Sequence, residues 1–117
     1  MNQDLELMIK IYETYDVDWM GDEIKNLSDL TRHHIIKKEH GGENGISNYA
    51  LLTKRSHSLL HYLEDNYNSE YNYLNSLFLE LNRSLKKPTS EYYEKIRVVM
   101  KRVKKEIKNE KRNRHKK

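Results

Sequence analysis

The stretch TRHHIIKKEHGGENGISNYALLTKRSHSLLH, residues 31–61, constrains this chain more than any other part of it. It holds five of the six histidines and three of the four glycines. Its periodicity also differs from that of the flanking sequence. LTRHHII and ISNYALL read as two short extended segments, and the glycine-rich KKEHGGENG between them reads as a long hairpin connection. Thr53 then offers a hydroxyl as N-cap, and KRSHSLLHYLEDNY continues as a helix with Leu59, Leu60 and Leu63 at or near its inner side. The expected local order is strand, loop, strand, helix.

A hairpin and one helix cannot bury a core alone, so the remaining sequence must cover them. At 117 residues, 36% hydrophobic and 34% charged, the chain is expected to form one domain with a compact core. Leu5, Met8, Ile9 and Tyr12 fall at helical spacing within residues 4–15, and a second short helical turn is expected around Trp19, Met20, Ile24 and Leu27. Leu74, Leu77, Phe78, Leu81 and Leu85 form a core-facing stripe. Pro88 with Thr89 or Ser90 opens a last helix whose apolar line is Tyr92, Ile96, Val99, Val103 and Ile107. Beyond Ile107 no apolar residue follows, and the end is expected to fray. The expected fold class is α+β and mostly helical. Its parts are an N-terminal helical segment (1–28), the histidine-bearing core (29–66), C-terminal helices (67–108) and a basic tail (109–117).

Composition removes several classes of function. There are no cysteines, so disulfides and thiolate zinc sites are excluded, and any metal must be held by His, Asp, Glu or Asn. No window approaches the roughly 18 apolar residues that span a bilayer. The opening MNQDLELMIK carries acids where a signal peptide carries lysines, which points to a cytoplasmic location. The net charge of +4 is unevenly spread. Residues 101–117 hold ten Lys/Arg against two Glu, a net +8, while the preceding hundred residues carry 12 basic and 16 acidic side chains, a net −4. A polycation on a mildly acidic body attracts phosphate backbones without sequence preference, although such termini also serve simply as solvated helix ends.

The histidines carry the chemistry. His57 and His61, four apart on a helix, share one face with Cβ atoms roughly 5–6 Å apart. Two imidazoles so placed can converge on one metal ion, but the pair alone is a weak signal. His33 and His34 add to it. Neighbours on a strand point to opposite sides, so the two can hardly ligate the same ion. They can divide the work, one completing a three-histidine site and the other remaining free as a base. An unperturbed imidazole titrates near 6.5, suited to taking a proton from water at neutral pH. Asn48, at the start of the second extended segment, can tie the loop to the hairpin. His40 and His115 have no such role, the first reading as a loop histidine and the second as a solvated group in the tail.

In its order HHII…GG…N…LL…H…H, this stretch resembles the HNH, or ββα-metal, endonuclease motif, in the histidine-rich variant of nuclease bacteriocins. The resemblance covers about residues 29–65. It implies a hairpin-plus-helix motif supported by the flanking helices, with His33, His57 and His61 as metal ligands. His34 becomes the general base, and Asn48 the residue that holds the loop and helps orient it. Gly41 and Gly42 shape the turn. The implied reaction is hydrolysis of DNA phosphodiester bonds with one divalent ion, drawn from Mg, Mn, Ni or Zn. By ligand type three imidazoles suit zinc, nickel or manganese better than magnesium. The family's wedge enters the minor groove of duplex DNA, and Arg32, Lys37, Lys38, Lys54 and Arg55 stand close in sequence as phosphate contacts or as solvated charges. Many members brace the motif with a cysteine-held zinc. Here the outer helices must do so. Two other readings stay open: a catalytically silent HNH-fold protein that binds nucleic acid as a regulator, and a purely structural zinc site. A regulatory protein partner is open too, as is a homodimer through the last helix.

Overall fold

The computed structural model describes the backbone of residues 2–115 and the side chains of residues 2–112. Helix α1 (Gln3–Tyr12) starts where the Asn2 side chain accepts from the Asp4 N–H at 2.8 Å, and it buries Met8, Ile9 and Tyr12. The hairpin follows as β1 (Leu30–His34) and β2 (Tyr49–Thr53). The two pair antiparallel, with His33 opposite Ala50 and His34 opposite Tyr49. Directly opposed residues share a face, so Thr31 and His33 lie on one side of the ribbon and Arg32 and His34 on the other. Every residue of β2 is buried, because α1 packs against the hairpin as well as the helices that follow. That explains its run of apolar residues without alternation.

Three helices complete the described residues. In α2 (Lys54–Asn66) the Thr53 hydroxyl caps the first turn by accepting from the Ser56 N–H at 3.2 Å, and Leu60 and Leu63 are buried. Helix α3 (Asn68–Ser84) buries Tyr71, Leu74, Leu77, Phe78 and Leu81, and α4 (Ser90–His115) opens with the Thr89 hydroxyl accepting from the Tyr92 N–H. The expected α+β fold, a hairpin followed by helices, is the observed one. The stripe of α4 is satisfied internally: Tyr92, Ile96, Val99 and Val103 belong to the same core as Trp19, Phe78 and β2.

Four local expectations are corrected. Residues 16–26 form no helical turn. They fold as a tight loop around the fully buried carboxylate of Asp18, which accepts from the N–H groups of Met20, Asp22 and Thr53 at 2.8–2.9 Å. Three backbone donors satisfy an anion better than a helix could at this position, and the Trp19 N–H adds a bond to Leu51 C=O. Ile35, Ile36 and Ile46–Asn48 lie outside the strands, the last as a 3-10 turn, because the long connection must close tightly over Gly42. Leu85 is not core. It takes the left-handed conformation (φ 54°) that ends α3 and is 63% exposed. Residues 109–115 continue α4 as helix, since Lys, Arg and Glu lose little rotamer freedom in a helix and basic residues favour its C-terminus. The remainder of the basic tail, and the side chain of His115, lie outside the described residues.

Candidate metal and nuclease site

The period of the strand and the period of the helix bring three histidines together. His33 faces inward from β1 and is 5% exposed. Its ring centroid lies 5.7 Å from that of His57, and the rings of His57 and His61 stack at 4.9 Å. Ala50, opposite His33, is small enough to leave room for an imidazole between sheet and helix. Phe78 and Tyr71 of α3 wall the other side of His33, at 6.0 and 6.5 Å. Burial dominates the ionisation of His33 and lowers its pKa from 6.5 to about 4, with the neighbouring imidazoles adding to the effect and the hydrogen bond that His33 makes to the Asn75 oxygen opposing it. His57 is shifted downward too, by burial first and then by His61.

Hydrogen bonds fix what the first two rings present. His33 Nε2 lies 2.8 Å from Asn75 Oδ1. His57 Nδ1 lies 2.8 Å from the Thr31 hydroxyl oxygen, whose own proton goes to Leu52 C=O. His61 is exposed, with Nδ1 3.8 Å from the Glu64 carboxylate, and that carboxylate is held ionised by Lys37.

His34 stands on the opposite face. Its ring packs edge-on to Tyr49 at 5.1 Å, the Arg32 guanidinium lies 5.1 Å over the same Tyr49 ring, and Asn44 Oδ1 is 2.8 Å from His34 Nε2. Asn48 is buried and fastens the loop. Its amide accepts from the Ile36 N–H and donates to the carbonyls of Ile36 and Glu43. It meets the His34 region through the backbone, where its C=O accepts from the Ile35 N–H, while the side-chain partner of His34 is Asn44. Gly41 takes a left-handed φ of 85°. At Gly42 a Cβ would fall 1.8 Å from Ile36 O, so only glycine fits that closure.

Residues 21–62 match the family model described as HNH endonuclease. This segment is an HNH domain. No curated protein and no solved structure matches the chain. The HNH match ends within α2, so Asn75, Tyr71 and Phe78, which line the inner side of His33, come from outside it.

As the rings stand, no group of three or more His, Cys, Asp or Glu is set to hold a metal among the described residues, because His61 stacks on His57 instead of converging with it. The chemistry of the donors nevertheless fits. Ligation needs neutral imidazoles, and burial shifts both His33 and His57 toward the neutral form. His61, being exposed, is free to turn toward its neighbours. Of the basic residues near the HNH site, Arg55 is engaged by Asp22, with Nη2 3.1 Å from its carboxylate, and Lys37 by Glu64. Lys38 and Lys54 are exposed, and Arg32 reaches Asp4 only at 4.0 Å. His40 lies with Lys37, Glu64, Tyr71 and Asn75 around a hollow of about 330 Å³. The sequence reading passed over Thr31, Asn44, Glu64 and Asn75. Thr31 could have been found from strand parity with His33, but Asn75 is forty-two residues from its partner and carries no local signal.

Proposed function

We propose that this protein is a metal-dependent endonuclease that hydrolyses phosphodiester bonds of DNA. The observation that carries the reading is the approach of His33, His57 and His61 within an HNH segment, with His34 one residue away on the other face. His33, His57 and His61 would hold one divalent ion, with Mg, Mn, Ni and Zn the candidates. When bound, such an ion supplies Lewis-acid stabilisation to a phosphoryl oxygen and to the leaving oxygen.

The protein's own groups do the rest. His34 takes the proton of the attacking water on the ring nitrogen that Asn44 does not engage, and the Asn44 oxygen steadies the imidazolium that forms. Asn48 keeps the loop closed beneath it, which holds His34 in register with the hairpin. Lys38, Lys54 and Arg32 contact phosphates of double-stranded DNA, and the basic face of α4 adds sequence-independent attraction.

A plasmid-nicking assay across the four metals, with sequencing of the ends, tests the proposal. Nicking by the parent, lost in His34→Ala with folding and metal binding retained, is the expected result. Equal cutting by His34→Ala overturns the assignment of the base. The unconverged rings favour a second reading, a silent HNH-fold protein that only binds nucleic acid. Salt-dependent DNA binding without product under any metal selects that reading.

A further inference from the structure

The buried ring of His33 has a partner that the HNH segment does not supply. Asn75 comes from α3, and its Oδ1 lies 2.8 Å from His33 Nε2. A carbonyl oxygen only accepts, so Nε2 carries the proton and the neutral ring keeps its lone pair on Nδ1. Tyr71, Asn75 and Glu64 line one hollow, and Glu64 is paired with Lys37 and lies against His61. On the other side of the site the Thr31 hydroxyl, which donates to Leu52 C=O, receives His57 Nδ1–H and leaves the lone pair of that ring on Nε2. The two inner imidazoles are thus set in opposite tautomers by neighbours that are not themselves ligands.

We propose that Asn75 is a positioning residue of the HNH site: it fixes His33 as the Nε2–H tautomer and so presents Nδ1 as the ligating nitrogen. The inference rests on the reading of His33 as a metal ligand and extends the working site beyond the matched segment to α3. An acceptor on the far nitrogen of a ligating histidine sets ring orientation and raises ligand basicity, and its loss typically lowers metal affinity roughly 10–100-fold.

The test is made on the full chain, first without metal. Long-range ¹H–¹⁵N correlation spectra at neutral pH are expected to show His33 protonated on Nε2 and His57 on Nδ1. In Asn75→Ala the His33 pattern is expected to move toward a mixture of tautomers. Asn75→Asp, which keeps an acceptor oxygen in place, is expected to restore the Nε2–H form. Titration calorimetry with nickel or zinc is expected to show Asn75→Ala weakened roughly 10–100-fold and Asn75→Asp close to the parent. A parent His33 protonated on Nδ1 overturns the proposal, as does an unchanged tautomer and affinity in Asn75→Ala, or a parent that binds neither ion. Because these measurements involve no DNA, a parent that passes them all yet never nicks plasmid removes the nuclease reading and leaves the role of Asn75 standing.

Discussion

The imidazole of His33 sits 5% exposed between His57 and Phe78, while that of His34, the next residue, leans on Tyr49 at the open side of the hairpin against a loop asparagine. One peptide bond, about 3.8 Å between Cα atoms, separates them. Strand parity alone produces the contrast, since successive side chains point to opposite faces. The comparison teaches how a two-residue motif can hold two jobs. On the proposed reading, the inner ring, which burial shifts toward its neutral form, serves as a metal ligand, and the outer ring keeps access to water as the base. Neither could do the work of the other without reversing the register.

The largest expected effect breaks the comparison from the outer side. His34→Ala should lower the cleavage rate by about 10²–10⁴-fold, the range for removing a general base, while stability changes by no more than about 0.5 kcal/mol. His33→Ala should lose cleavage and metal binding together, and should also destabilise the fold by leaving a gap against Phe78. Nicking assays, calorimetry and urea melts on both variants separate the two patterns. If His34→Ala unfolds as readily as His33→Ala, the division of roles between faces is wrong.

Acid should act through the inner ring. His33 has its pKa lowered to about 4 in the folded chain, against an unfolded value near 6.5, so the unfolded state binds the proton more tightly. Its contribution is therefore fully present above pH 6.5 and is lost as pH falls toward 4, by about 3 kcal/mol in total. Burial is the first cause of the shift. Glu64, held below its usual range by Lys37, loses its own smaller contribution as it protonates at more acidic pH. Urea unfolding of metal-free protein at pH 7 and pH 4.5 reads the loss from His33 together with that from His57, whose pKa burial also lowers, and His33→Gln should remove the larger part of the difference.

The loop beneath the outer ring gives a smaller and more local test. Gly42→Ala would place a methyl carbon against the Ile36 carbonyl, and the clash is with backbone, which cannot step aside as a side chain would. A destabilisation of about 1–3 kcal/mol is expected, with the Asn48 clamp loosened and cleavage impaired. Gly41→Ala meets open space and should cost only about 1 kcal/mol for its left-handed backbone. Nickel affinity on the His33 face should stay within a factor of a few in both, since Asn75 and Thr31, the hydrogen-bond partners of His33 and His57, lie outside that loop.

Legibility followed the range of the forces involved. The hairpin, the Thr53 cap, the i, i+4 histidines and the opposed pair His33–His34 are set by contacts within a few residues, so pattern and turn chemistry reveal them. The Asp18 loop was misread because Trp19, Met20, Ile24 and Leu27 mimic a helical stripe. What decides that segment is a buried carboxylate whose third donor, the Thr53 N–H, lies 35 residues away. Leu85 looked like the end of a core stripe because periodicity carries no sign of the left-handed residue that stops α3. Around the site the same rule holds. The rings that approach were readable, whereas Asn75 and Tyr71 arrive through the packing of α3 on the hairpin, a tertiary event with no signature in the strand or in α2. The stacking of His61 on His57, in place of convergence, is likewise a side-chain choice that spacing leaves open.

The smallest effects sharpen the comparison at the basic residues proposed to meet phosphates, where sequence proximity treats all five alike. Arg55 makes two bonds to the Asp22 carboxylate at 3.1 Å, with the Thr53 hydroxyl on the same group. Releasing it to a phosphate would strand that carboxylate, so its charge is largely spent within the protein. Lys54, its exposed neighbour, has no such commitment. Each phosphate neutralised adds about 0.9 to the slope of log affinity against log salt. Lys54→Ala should therefore reduce the slope by about 1 in DNA-binding titrations across 50–200 mM salt. Arg55→Ala should leave the slope nearly unchanged and instead cost about 0.2–1 kcal/mol of stability, as expected for an exposed ion pair. Equal slopes for the two variants would place Arg55 on the DNA after all, and would mean that the Asp22 contact opens when nucleic acid binds.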